Sequence, residues 1–280
     1  MTSPVARKFA KYVMIAPALA LAVLFFFVPA ALLFMVSVTE KGSFFYTPIL
    51  TTINYVESVT IYGFDFRNTL TMAAGAAFLD VLFAYPFAYL MTRKIRRFAD
   101  VFRSILLFPL FGELYIAFGL WYLFLPGGPM AFILRGLGVS AFEALYSVPS
   151  AVAALAIFTF PFAVLQIGVA LSQVDPVVEE AAMSLGAGPI ETLFRIVIPL
   201  SGSGILSGWL MSFGWNIGAF AIPILMGGAI VGQRVLSVQI RSIALLMMDY
   251  GLAAALAVTL VVIAVATSYV SIRASKGALM

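Results

Sequence analysis

The 280-residue chain has no cysteine and no histidine. The first absence removes disulfides and thiolate nucleophiles, and the two together remove every zinc motif built on Cys or His ligands. Imidazole acid–base chemistry is excluded as well. Charge is scarce, at 10% Asp, Glu, Lys and Arg, far below the usual share in soluble domains. There is no G-x-x-x-x-G-K-[ST] phosphate loop, the backbone cradle and lysine that hold a nucleotide. No nucleophile–base constellation occurs in the apolar segments, so the chain is poorly equipped for catalysis.

What is abundant is apolar surface: 63% of residues are hydrophobic and the mean hydropathy is +1.10. This is the composition of an all-α integral membrane protein, because a helix of roughly 20 apolar residues can cross a bilayer with its backbone satisfied internally. Six spans are expected, at 12–38, 68–92, 101–125, 148–172, 204–226 and 250–272. The first follows Arg7, Lys8 and Lys11 as a signal peptide would, but its 27 residues suit a retained helix. Six spans place both termini on one side.

The basic residues orient the bundle. With the termini lie Arg7, Lys8, Lys11, Arg93, Lys94, Arg96, Arg97, Arg103, Arg195, Arg273 and Lys276, eleven in all. Lys41, Arg67, Arg135, Arg234 and Arg241, five, lie opposite. Short loops rich in Lys and Arg stay in the cytoplasm, so the termini are expected there. The net charge of +4 then reflects topology and not a nucleic-acid partner. On the outer side, LPGGPMAFILRGLG and VLSVQIRSIALLMM each suit a short interfacial helix.

Between the fourth and fifth spans runs EEAAMSLGAGPIETLFRIVIPL, from Glu179 to Leu200. Asp175 and Pro176 are a cap and first-position pair that start a helix, with Glu179 and Glu180 near its dipole-positive end. Gly186 can stop it in the left-handed region, and Gly188-Pro189 starts a second. The segment 175–199 is therefore expected to form a compact two-helix knob. It is either a rigid turn or a docking element; its small residues would let another surface approach closely.

The spacing resembles the EAA motif of permease subunits in binding-protein-dependent ABC importers: Glu180-Ala181-Ala182, three residues, Gly186, nine residues, then Ile196-x-x-Pro199. The usual ending I-x-L-P reads Ile196-Val197-Ile198-Pro199 here, a change that conserves bulk. FRNTLTMAA at 66–74, YPFAYLM at 85–91, the LPGGP loop, IPLSGSGIL and ILMGG at 224–228 extend the resemblance to the spermidine/putrescine-type branch. The resemblance implies a type I ABC importer permease architecture in the bacterial inner membrane. It also implies an ATPase-coupling segment in which Glu180, Ala181, Ala182 and Gly186 contact a partner ATPase, with Ile196 and Pro199 closing the motif and Pro199 fixing the return to the membrane. The implied partners are two cytoplasmic ATPase subunits, which bind ATP and Mg, a second, homologous permease and an extracytoplasmic solute-binding protein. This chain would carry no cofactor.

Polar residues within the spans mark a candidate substrate path. Asp80 and Glu113 lie near mid-span, Glu113 among Tyr115, Trp121 and Tyr122, and carboxylates beside aromatic faces could hold a desolvated ammonium group. The alternative for each is burial against another helix, neutral or hydrogen-bonded, in the service of packing or assembly. The fifth span adds Trp215 and Asn216 among glycines. A stand-alone proton-coupled transporter, with Asp80 and Glu113 as proton carriers, is the competing reading.

Overall fold

The computed structural model describes residues 16–40, 49–95, 99–106, 108–125, 127–138, 140, 144–227 and 233–277. Arg7, Lys8, Lys11, Lys41, Arg96 and Arg97, the start of the first apolar run, Pro126 of the LPGGP loop and Gly228 of ILMGG lie outside them.

The regular secondary structure of the described residues is helical apart from one isolated bridge, Thr39 to Leu50. Among the described residues four helices are long and apolar enough to cross a membrane: α1 (Ala16–Ser37), α2 (Ile53–Arg93), α6 (Val148–Gln173) and α12 (Tyr250–Gly277). Two bent pairs raise the number to six if each is one span. One joins α4 (Glu113–Phe124) to α5 (Pro129–Gly136) at 45°, and the other joins α8 (Pro189–Leu200) to α9 (Gly202–Gly218) at 67°. The remaining helices are α3 (Ala99–Leu106), α7 (Pro176–Ser184), α10 (Ala221–Leu225) and α11 (Leu236–Leu245).

Two of the expected spans differ from single rods. Residues 101–125 divide into α3, a 3-10 turn at Phe108–Phe111 and α4, parted at Gly112, whose φ is 150°. Residues 204–226 divide at Ala219 and Phe220 into α9 and α10. Two more local distortions have one cause. Pro29 and Pro199 each lack an N–H and crowd the carbonyl four residues back, so the preceding turn widens into a π segment. Val28 N–H reaches Val23 O, and Ile198 N–H reaches Leu193 O, five residues back in each case.

The chain forms two compact units, Met1–Ile61 with Ile240–Thr259, and Tyr62–Gln239 with Leu260–Met280. In the first, Asn54 is fully buried and its amide donates to Ser37 O and Thr39 O at 3.0 and 2.8 Å, while Ser37 and Tyr55 hydroxyls meet at 2.7 Å. Phe25, Phe26 and Phe27 of α1 are exposed, a surface suited to lipid tails and not to water.

The second unit holds two apolar cores. One gathers Met72, Ala76, Leu155, Phe158, Ile222 and Met226; the other gathers Ala84, Ala88, Leu106, Val164, Ile167 and Leu171. Small residues let α9 approach α6 at backbone distance. A methyl added at Gly204 would overlap the Ala170 methyl, and one at Gly208 would stand 3.3 Å from Ala163 Cα. Gly204 and Gly208 thus make the G-x-x-x-G seam by which membrane helices associate without a hydrophobic driving force.

Candidate functional site

The loop from α6 to α9 is built from its own sequence signals. The Asp175 carboxylate accepts from Val177 N at 3.0 Å, capping α7 ahead of Pro176. Gly186, with φ +98°, ends the helix: its N–H donates to Met183 O and that of Ala187 to Ala182 O, the paired closure of a Schellman motif. Gly188 then precedes Pro189 at the first turn of α8.

What fixes this knob to the bundle is Glu179, not Glu180. Glu179 is buried, and its carboxylate accepts from Arg93 Nε at 2.7 Å and from the Tyr89 hydroxyl at 3.0 Å. Arg93 Nη2 also donates to Val174 O at 2.7 Å, just ahead of α7. One turn further back on α2, the Tyr85 hydroxyl meets Ser201 Oγ at 3.0 Å, at the start of α9. Tyr85, Tyr89 and Arg93 follow each other at four-residue intervals along one face of α2, so a single helix face holds both ends of the loop. None of these three nor Glu179 stands among the residues drawn from the EAA pattern. The available signal was an arginine closing a long apolar helix and two adjacent glutamates, which a helix must point in different directions.

The EAA residues lie outward. Glu180, Ala181 and Gly186 are exposed, Ala182 and Ile196 half-buried, and Pro199 is exposed where α8 turns toward α9. Around them stand large apolar side chains: Leu185 is 90% exposed, Ile190 73% and Phe194 63%. A shallow depression of about 570 Å³ is lined by Gly188, Pro189, Ile190, Glu191, Phe194 and Arg195.

A second feature is a cavity of about 990 Å³ whose lining includes Gly112, Glu113, Phe158, Phe162, Trp215 and Ser268. Phe162 and Trp215 stack with centroids 5.1 Å apart and planes 12° apart, and Phe158 meets Trp215 edge-on at 6.4 Å. The Glu113 carboxylate sits at the α9–α10 break. It accepts from Ile222 N at 2.8 Å and Phe220 N at 3.2 Å, serving N–H groups that the break strips of helical partners.

The candidate path residues therefore separate. Glu113 and Trp215 share the cavity. Asp80 and Asn216 share a buried polar cluster instead: Thr159 Oγ1 is 2.6 Å from Asp80 Oδ2 and accepts from Asn216 Nδ2 at 2.9 Å. Trp121 is packed against the first core and donates from Nε1 to the Tyr146 hydroxyl at 3.2 Å. Tyr115 is 73% exposed and lines neither feature. Thr159, which joins Asp80 to Asn216, carried no sequence signal, since a lone threonine in an apolar helix more often back-bonds its own turn.

No family profile matches the chain. Curated proteins do. The spermidine/putrescine transport system permease protein PotB of Escherichia coli K12 is 28% identical over 262 residues, covering 91% of this chain and 94% of that protein. PotB of Haemophilus influenzae is 27% identical over 261 residues, covering 91% and 90%. The inner membrane ABC transporter permease protein YdcU of E. coli K12 is 29% identical over 214 residues, covering 69% and 67%. Among solved structures, a bacterial alginate ABC transporter in complex with an alginate pentasaccharide-bound periplasmic protein superposes with a TM-score of 0.74 at 17% identity, covering 95% of this chain and 93% of that one. A bacterial ABC transporter involved in alginate import gives 0.71 at 20% identity, covering 95% and 96%. This multi-pass membrane protein has the fold of ABC-importer permeases, and in chain-wide sequence it resembles the permeases of the spermidine/putrescine branch.

Proposed function

We propose that the chain is the membrane-spanning subunit of an ATP-driven importer, and that the α7–α8 knob faces the cytoplasm, with both termini, and seats in a partner ATPase. The observation that carries this reading is the exposed apolar tip of Leu185, Ile190 and Phe194 on an element otherwise tied down by buried polar contacts. Exposed leucine, isoleucine and phenylalanine outside a membrane call for a protein partner. Glu180, Ala181, Ala182 and Gly186 surround that tip, with Ile196 and Pro199 on the return. Since α2 grips the loop at both ends through Tyr85, Tyr89 and Arg93, movement of the knob passes to a helix of the bundle as movement of a lever. ATP and Mg belong to two ATPase subunits. A second, homologous permease and an extracytoplasmic solute-binding protein complete the complex.

The substrate is a polyamine or a related small cation. The names of the relatives support this, as does the cavity, where aromatic faces and the Glu113 carboxylate offer cation–π and charge attraction to an ammonium group. The test is the assembled complex with Leu185→Asp and Ile190→Asp combined. ATPase retention and putrescine uptake are expected to fall together while the permease itself stays folded. Unchanged uptake, or proton-driven uptake by this chain reconstituted alone, would overturn the reading.

A further inference from the structure

We infer that Asp80 is held as a neutral carboxylic acid, a proton-binding site whose occupied form clamps α2, α6 and α9 together next to residues that line the aromatic cavity. Asp80 on α2, Thr159 on α6 and Asn216 on α9 are 1%, 0% and 4% exposed. Among the described residues no ion pair compensates the carboxyl: α6 and α9 contain no charged residue, and between Arg67 and Arg93 α2 has none besides Asp80. Glu113, on α4, is itself acidic. Thr159 of α6 and Ser212 of α9 face Asp80, both neutral, and Asn216 of α9 is linked to it through Thr159.

Counting hydrogens favours the protonated form. The Thr159 hydroxyl has one hydrogen, yet Oγ1 stands 2.6 Å from Asp80 Oδ2 and 2.9 Å from Leu155 O, two acceptors if the carboxyl is ionised. With the proton on Oδ2 every contact has a hydrogen. Asp80 donates to Thr159, Thr159 donates to Leu155 O, and Asn216 Nδ2 donates to Thr159 Oγ1. The other oxygens, Asp80 Oδ1 and Asn216 Oδ1, are buried without a donor. A carbonyl oxygen tolerates that position far better than half of a naked carboxylate does.

Thr159 lies between Phe158 and Phe162 in sequence, and Asn216 follows Trp215. The clamp therefore sets the register in which the Phe162–Trp215 stack forms. Asp80 acts as a positioning group carrying a resident proton, and does not meet substrate as an anion.

The site is read in the full-length permease alone, in lipid nanodiscs at neutral pH, so its outcome is independent of ATPase docking. Infrared difference spectra between wild type and Asp80→Asn should show a protonated-carboxyl C=O band present only in wild type. In Thr159→Val, which deletes the acceptor, that band should persist at higher frequency. Trp215 fluorescence should be preserved in Asp80→Asn, a neutral isostere, and altered in Thr159→Val. Loss of an ionised-carboxylate band in Asp80→Asn, or no acid band in Thr159→Val should Asp80→Asn fail to fold, would overturn the inference.

Discussion

Removing the Glu179 carboxylate tests whether the knob is held where the geometry places it. In Glu179→Ala, Arg93 loses its 2.7 Å partner while its side chain stays 8% exposed, and the Tyr89 hydroxyl loses an acceptor. Breaking one side of a buried ion pair typically costs about 3–5 kcal/mol, because the surviving charge remains desolvated. Arg93 keeps its bond to Val174 O, which places the expected loss near the lower figure. At about 1.4 kcal/mol per factor of ten, about 3 kcal/mol raises the opening equilibrium of α7 roughly a hundredfold. Hydrogen exchange of the amides at 177–184 in the full chain reads that equilibrium directly. Glu180→Ala, one residue away but exposed, is the control and should leave protection unchanged. Arg93→Lys keeps the charge yet cannot serve Glu179 and Val174 in the same fork geometry, so it should lie between wild type and Glu179→Ala. Equal protection in Glu179→Ala and Glu180→Ala would refute the anchoring role.

Two further perturbations test the packing that supports the cavity. Gly204→Ala drives a methyl into Ala170 and should cost about 1–3 kcal/mol in thermal unfolding; adding Ala170→Gly should recover most of it, and failure to recover would refute the direct contact. Glu113→Ala strands the N–H groups of Phe220 and Ile222, at about 1–3 kcal/mol each if they stay buried, whereas Glu113→Gln keeps one acceptor and should lower the melting temperature by about half as much.

Local chemistry was legible in the sequence and long-range pairing was not. Asp175, Pro176, Gly186 and Pro189 act on backbone groups within a few residues, and the structure forms the cap and the left-handed stop at those positions. Arg93 and Glu179 are 86 residues apart, and no periodicity links an arginine at one helix end to a glutamate beyond another. The breaks at Gly112 and at Ala219–Phe220 escape a hydropathy reading because a halved helix is as apolar as a whole one. Pro109 and Gly112 within four residues were the one local warning of the first. Asp80 and Glu113 looked alike in sequence, each a carboxyl in an apolar run, and their partners alone tell them apart.

That difference bears on how a cation would be met. A carboxylate offers about four lone-pair directions, and Glu113 gives two of them to Phe220 and Ile222. It lines the cavity beside the Phe162–Trp215 stack, so holding the α10 turn and attracting an ammonium group are compatible roles. Asp80 has no such latitude. It is buried and bonded to Thr159, with no compensating ion pair among the described residues, and on the inference above its clamp forms with the proton in place. Electrostatic attraction within this cavity therefore falls to Glu113 and the aromatic faces. On the proposed reading, a polyamine longer than that one contact would need its remaining partners on other subunits.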